Sequence, residues 1–215
     1  MDSFEKFTEA AIIERIINGE KALYEIIVRR FNPCLYKIGR SYNYSHEDTQ
    51  DLMQETFIDA YRNLPQFEGR SVFKTWIVRI MMNNCYRKKE KRSFRNEIQQ
   101  MINDHSKPMF ISSHNDTEQA VQNRELARII EAALSKLSFD YRMVFSLREI
   151  NGLTVSETAG LLHISESNVK IRLNRAKAML RTEIEKKHAA SELFEFNRIY
   201  CNAMVTQVMK KIKEF

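Results

Sequence analysis

Glycine and proline are scarce in this 215-residue chain, with five of the first and three of the second. So few chain breakers leave little room for the turns of a β-sandwich or a βαβ array, and favour helices joined by short connections. The glycines, at positions 19, 39, 69, 152 and 160, are too dispersed to build a P-loop or a G-x-G-x-x-G turn. That excludes nucleotide-driven enzymes of those types. Cysteine is equally sparse: Cys34, Cys85 and Cys201 are odd in number, far apart and without C-x-x-C spacing. A disulfide framework or a zinc knuckle is not expected, and three ordinary semi-buried thiols are. No stretch approaches the roughly 18 apolar residues that a membrane helix needs. The segment MDSFEKFTEAAIIERIIN carries acids throughout and lacks the basic-then-apolar pattern of a secretion signal. These absences together predict a cytoplasmic, all-α protein with no membrane insertion and no cofactor or metal.

What is present is ordinary globular composition, 43% hydrophobic and 29% charged, with a net charge of +6 from 34 Lys+Arg against 28 Asp+Glu. Apolar residues recur at helical spacing from Ile12 to Arg40, broken at Asn18-Gly19 and carrying Pro33, which predicts two helices or one bent one. Ser45-x-x-Asp48 is a capping-box pattern that opens a third helix, which stops at Pro65. A loop from Gln66 to Arg70 leads to a fourth helix, from Ser71 into a basic run ending near Arg95. Between Gln99 and Thr117 periodicity fails and Ser, Asn, Asp, His and Pro accumulate, as in a solvated linker. Beyond it, helices are expected at 118–137, 140–150, 154–162 and 166–181, with a second capping box at Thr154-x-x-Glu157. The division is therefore 8–98 and 118–184 as two small helical domains, 99–117 as a flexible linker, and 185–215 as a helical extension.

Three constellations carry chemistry. The short helices around Leu162-His163-Ile164-Ser165 have helix-turn-helix spacing, whose second helix enters the DNA major groove. On that helix Val169, Leu173, Ala176 and Leu180 form one apolar face. Ser167, Lys170, Ile171, Asn174, Arg175 and Ala178 face outward, with the cations, amide and methyls that base reading uses. A solvated basic face is the plainer alternative.

The second constellation sets Phe67, Phe73, Trp76 and Tyr86 beside the run Arg87 to Arg92, a combination suited to stacking single-stranded bases while cations pair with phosphates. By spacing, Phe73, Trp76 and Ile80 could equally be core. Phe67, in the loop with Glu68, Gly69 and Arg70, is harder to assign to packing. The third is an acidic stripe, Glu47, Asp51, Glu55 and Asp59, at i, i+4, i+8 and i+12 with no cation on the helix before Arg62. Like charges so stacked weaken an isolated helix, which suggests a basic partner; a solvated face and a carboxylate metal site are the rivals.

These residues in this order resemble the extracytoplasmic-function (ECF) type of bacterial RNA polymerase sigma factor, the class with only the second and fourth sigma domains. The first half carries HEDTQDLMQETFIDAYRNLPQFEG followed by SVFKTWIVRIMMNNCYRKKEKR. The second carries LSFDYRMVFSLREINGLTVSETAGLLHISESNVKIRLNRAKAMLR, and both are similar to the family's pattern. The resemblance implies a non-enzymatic specificity subunit that binds core RNA polymerase, through the β′ clamp helices and the β flap, and promoter DNA. It also implies an anti-sigma factor as partner. It implies polymerase contacts at Asp48, Asp51, Leu52, Gln54, Glu55 and Phe57. The minus-10 element would meet Phe67, Gly69, Arg70, Ser71, Thr75, Trp76, Asn83, Asn84, Arg87 and Lys88. The minus-35 element would meet Ser167, Asn168, Lys170, Ile171, Arg172, Asn174 and Arg175, with Arg148 on a nearby phosphate.

Two readings of other classes stay open on the sequence: a dimeric helix-turn-helix regulator, and a metal-dependent nucleic-acid enzyme using Asp48, Asp51 and Glu55. The stretch after Ala189 extends past the family's usual end. Leu193, Phe196, Tyr200, Met204 and Val208 recur at helical spacing there, and the expectation is a helix packed on the second domain or the linker, with a docking surface for a regulator or occlusion of the DNA-binding face as alternatives.

Overall fold

The computed structural model describes residues 8–94, 129–185 and 198–214, and among these no strand forms. The linker expected at 99–117 and the start of the helix expected at 118 lie outside the described residues, as do Leu193 and Phe196. Contacts divide the chain into two units, 1–35 with 50–97 and 199–215, and 36–49 with 98–198.

In the first unit, helix α1 (Glu9–Ile17) is capped by Thr8, whose hydroxyl accepts the Ala11 N–H. It ends at Asn18, with Gly19 at φ +105° beyond it. After a 3₁₀ turn (Lys21–Leu23), α2 (Tyr24–Ser41) runs without interruption through Pro33. The break at Asn18-Gly19 therefore separates two helices and the proline does not. Helix α3 (His46–Asn63) starts where the Ser45 hydroxyl accepts the Asp48 N–H at 3.1 Å, and it stops at a 3₁₀ turn containing Pro65. Helix α4 (Phe73–Phe94) follows the loop.

The core of this unit is built from Ile12, Ile16, Tyr24, Ile27, Phe31, Leu35, Met53, Phe57, Ile77 and Met81, each buried. Burying side chains of this size stabilises by about 1.5–3 kcal/mol each before conformational entropy is counted. The Tyr24 hydroxyl, fully enclosed, donates to the Phe57 carbonyl at 2.6 Å, so the phenol enters the core without an orphaned polar group. Burial, with a smaller contribution from Tyr61, holds its pKa well above the ordinary tyrosine value.

The C-terminal helix α9 (Arg198–Ile212) belongs to this first unit, which corrects the expectation that it packs on the second domain or linker. Met204, Val205, Val208 and Ile212 form its buried stripe, and Asn202 accepts a hydrogen bond from Arg29 of α2 at 2.9 Å.

In the second unit, a helix described over 129–136 (α5) leads to α6 (Phe139–Phe145). Helix α6 continues into one widened turn, Ser146–Ile150, closed by the Asn151 N–H donating to the Ser146 carbonyl at 2.9 Å. Helices α7 (Val155–Leu162) and α8 (Glu166–Glu185) complete it. Residues 36–49 group with these helices. Arg142, 7% exposed, donates to the carbonyls of Ser41 (2.7 Å), Ser135 (3.0 Å) and Leu137 (3.0 Å). Beside it the Ser41 and Ser146 hydroxyls meet at 2.7 Å, and Tyr42 packs edge-on against Phe139.

Candidate functional sites

The recognition surface of the second unit follows from the local chemistry of a tight turn between two capped helices. Thr154 and Glu157 form a reciprocal capping box: the Glu157 N–H donates to the Thr154 hydroxyl at 3.2 Å and the Thr154 N–H to the Glu157 carboxylate at 2.7 Å. His163 closes α7 in the left-handed region, at φ +53°, and the Ser165 hydroxyl accepts the Asn168 N–H to start α8. Val144, Ala159, Val169 and Leu173 form the core between these helices. The inward face of α8 is the one its spacing predicts, with Val169, Leu173, Ala176 and Leu180 all buried.

Ser167, Lys170, Ile171, Asn174, Arg175 and Ala178 are exposed, and Ile171 at 51% is an uncommonly open branched apolar side chain. Asn168 is half-buried, and the Arg175 guanidinium lies 3.4 Å from the Tyr141 hydroxyl. Two arginines differ from the others assigned to DNA. Arg172 is held at 3.1 Å by Asp140 at the start of α6, which fixes the second helix against the bundle. Arg148, half-buried, donates through one terminal nitrogen to the Leu153 carbonyl, so its guanidinium supports the turn before α7.

On α3 the acidic stripe is present, with Glu47, Asp51 and Glu55 exposed and Asp59 half-buried; all but Glu47 belong to the first unit. Asp48 and Gln54 are half-buried at its edge. Leu52 and Phe57 are 2% and 0% exposed; they anchor α3 in the core and do not present a polymerase-facing surface. The stripe also has a cation from outside its own helix. Arg87 of α4 lies 3.8 Å from Glu55 and 3.6 Å from Asp59. Beyond it, Asp51, Gln54, Glu55, Ile58, Asp59 and Arg62 line a cleft of about 590 Å³ together with Lys211 and Glu214 of the C-terminal segment. Among the described residues no group of three or more His, Cys, Asp or Glu side chains is placed to hold a metal ion.

The aromatic loop is more packed than its sequence suggests. The Phe67 ring stands edge-on to Phe73 at 5.3 Å and tilts against Trp76 at 5.2 Å, and Phe73 meets Phe31 behind them. Phe67 and Trp76 are half-buried, so the cluster is a platform seated on the core with one side open. Gly69 is at φ +69°, a conformation that strains any side chain, and it lets the loop turn. Arg70 and Ser71 are exposed, with Arg70 paired to Glu68. Asn83 and Arg87 are exposed, and Lys88 is half-buried.

Two residues assigned to DNA point the other way. Thr75 is buried, and Asn84 is 2% exposed with its amide donating to Thr56 Oγ1 at 3.2 Å and Asp59 Oδ2 at 3.3 Å. A buried amide must be satisfied by the protein, and Asn84 thereby ties α4 to α3. It also accepts from Arg87, so a chain of polar contacts links the acidic stripe to the basic helix. Sequence reasoning did not find this network, since its only signal is a polar residue falling on the buried sector of α4.

The comparisons with known proteins match two successive stretches of the chain. Residues 27–95 match the family Sigma-70 region 2, and residues 127–180 match Sigma-70, region 4; together these take in more than half of the chain. The ECF RNA polymerase sigma-E factor of Haemophilus influenzae is 27% identical over 185 residues, covering 84% of this chain and 97% of that protein. The protein of the same name from Escherichia coli K12 is 26% identical over 185 residues, with 84% and 96% covered. Among solved structures, CnrH in complex with the cytosolic domain of CnrY shares the fold with a TM-score of 0.58, at 22% identity over 83% of this chain and 97% of that one. The sigma factor RpoE in complex with the anti-sigma factor NepR from Bartonella quintana has a TM-score of 0.57 at 21% identity, with 81% and 99% covered. With both regions present in order and relatives of one name along nearly their full length, the chain belongs to the sigma-70 family, in its extracytoplasmic-function branch.

Proposed function

We propose that this protein is the promoter-specificity subunit of a bacterial RNA polymerase: it binds core enzyme, reads a minus-10 and a minus-35 box, and helps open the duplex near the start site. The observation that carries this reading is the pairing of two unlike surfaces in one chain. One unit has an acidic helix face beside an aromatic platform on a basic helix, and the other has a capped helix-turn-helix. A dimeric regulator would use only the second of these.

The acidic face of α3, through Asp51, Gln54 and Glu55, is the polymerase contact, held in shape by buried Leu52 and Phe57. The platform of Phe67 and Trp76 receives an unstacked base of the minus-10 strand, while Arg70, Ser71, Asn83, Arg87 and Lys88 offer polar groups to its backbone. Base extrusion costs a few kcal/mol, which ring stacking of about 1–3 kcal/mol per base offsets in part. The outer face of α8, with Lys170, Ile171, Asn174 and Arg175, reads the minus-35 duplex.

The protein has no catalytic role of its own and works in the cytoplasm, where the polymerase is; no helix among the described residues is long and apolar enough to cross a membrane. An anti-sigma factor is its partner, by analogy with the complex of RpoE and the anti-sigma factor NepR. Footprinting with and without core polymerase tests the assignment. One asymmetric protected site that depends on core is expected. A two-fold symmetric footprint from the isolated protein would establish the regulator instead.

A further inference from the structure

The acidic face of α3 is not bare. Its stripe needs a cationic partner, and the chain supplies one beyond Arg87: Lys211, near the end of α9, shares the cleft lined by Asp51, Glu55 and Asp59. Charge is complementary on both sides of that cleft, since Arg62 of α3 lies in it with Glu214. Helix α9 reaches this position by burying only one narrow stripe, Met204, Val205, Val208 and Ile212, and by the Arg29–Asn202 hydrogen bond. The cleft of about 590 Å³ between the two segments shows that the end of α9 flanks the α3 face, while Asp51 and Glu55 keep exposed side chains. A short amphipathic helix that buries four apolar side chains and sets its charged end, Lys211 and Glu214, beside the acidic face is built to be exchanged for a better-fitting helix of the same character.

We infer that α9 is an intramolecular occupant of the polymerase-binding face, and that core polymerase must displace it to bind. The inference rests on the reading of α3 given above. Each interaction is the competitor of the other, so the docked helix lowers the apparent affinity for core by the ratio of covered to open chains. A covered population ten times the open one weakens binding about tenfold.

Hydrogen exchange on the full chain, alone and with core polymerase, is the direct test. The amides of 202–212 are expected to lose protection by at least about tenfold when core binds. Unchanged or increased protection there overturns the inference. Val208→Asp, which places a charge in the buried stripe, is expected to raise exchange in α9 and to tighten core binding about tenfold. Faster exchange with unchanged core affinity also overturns it. The double variant Asp51→Lys, Glu55→Lys tests the underlying reading separately. If it keeps full core affinity, the α3 face is not the polymerase surface and both claims fall. If it loses affinity while the wild-type α9 amides stay protected on core, the reading stands and the inference alone fails.

Discussion

The guanidinium of Arg142 donates through Nε to the main-chain carbonyl of Ser41 at 2.7 Å, across 101 positions of sequence. Two further carbonyls, of Ser135 and Leu137, complete its coordination at 3.0 Å each. A planar fork directs its donors from several nitrogens at fixed angles, whereas an ammonium's three donors radiate from one compact point and cannot reach three carbonyls spread around the guanidinium in the same way. Burial lowers the arginine's pKa from its usual value, yet the group stays charged throughout the physiological range.

Arg142→Ala should therefore destabilise the protein by roughly 2–4 kcal/mol, because three carbonyls, those of Ser41 and Leu137 in buried hydrogen bonds, lose a charge-assisted donor together. Arg142→Lys should recover only part of this. Urea denaturation of the two variants measures it, and a loss under about 0.5 kcal/mol for the alanine would mean that the carbonyls find other partners.

Alkaline pH offers a second test, from two buried acids on the first unit. Burial pushes the Cys85 thiol up, and Tyr24 is raised in the same way. As pH rises through about 8.5, the unfolded chain releases the thiol proton while the folded chain keeps it. The folded state then binds more protons, and stability falls by up to about 1.4 kcal/mol per pH unit per group. Tyr24 adds its own decline once pH passes about 10. Denaturation curves from pH 7.5 to 10 should show the first decline in the wild type and not in Cys85→Ala. A flat profile in the wild type would contradict the burial of the thiol.

How much of this was legible in the sequence depended on the range of the interaction. The N-cap at Ser45, the capping box at Thr154 and the apolar face of α8 are local, set by 3.6-residue periodicity and by side chains three positions apart, and they appear in the structure. The partner of an amphipathic helix is not local. The pattern in α9 says that one face is buried and nothing about what covers it, so its place in the first unit was invisible. Thr75 and Asn84 look like surface polar residues until the sector of α4 facing α3 is known. Leu52 and Phe57 lie within a segment that resembles a polymerase contact, but helical geometry turns them inward while Asp51 and Glu55 face out. Phe67 lies in a loop, and its packing on Phe73 and Trp76 comes from the fold around it.

The aromatic platform predicts a split between docking and opening. Trp76→Ala should leave binding to duplex promoter within about threefold but reduce opening about tenfold or more, since a lost base-stacking contact is worth about 1–3 kcal/mol. Permanganate reactivity of the exposed thymines reads the opening. Unchanged reactivity would remove Trp76 from that step. Because Trp76 also packs on Phe73, Trp76→Phe is the companion variant that keeps a ring in place.

On α8 the outer face should divide by chemistry. Lys170→Ala should weaken binding to all minus-35 duplexes alike and reduce the salt slope by about 1, as expected for a phosphate contact. Asn174→Ala and Ile171→Ala should instead change the preferred sequence, by about 1–3 kcal/mol at the affected base pair. The unfolding midpoint should stay in place in all three, because these side chains are exposed. Arg172→Ala should differ, moving stability as well, since it removes the bridge to Asp140. Fluorescence anisotropy on a panel of duplexes separates these cases, and identical sequence profiles for all variants would exclude base reading by this face.

The account stands most directly on run-off transcription with purified core polymerase and a library of genomic promoter fragments. Core alone should give background, and core with this protein should give discrete transcripts from fragments that share two boxes upstream of the start. The same background with and without the protein, or transcripts whose start sites share no upstream boxes, would contradict it.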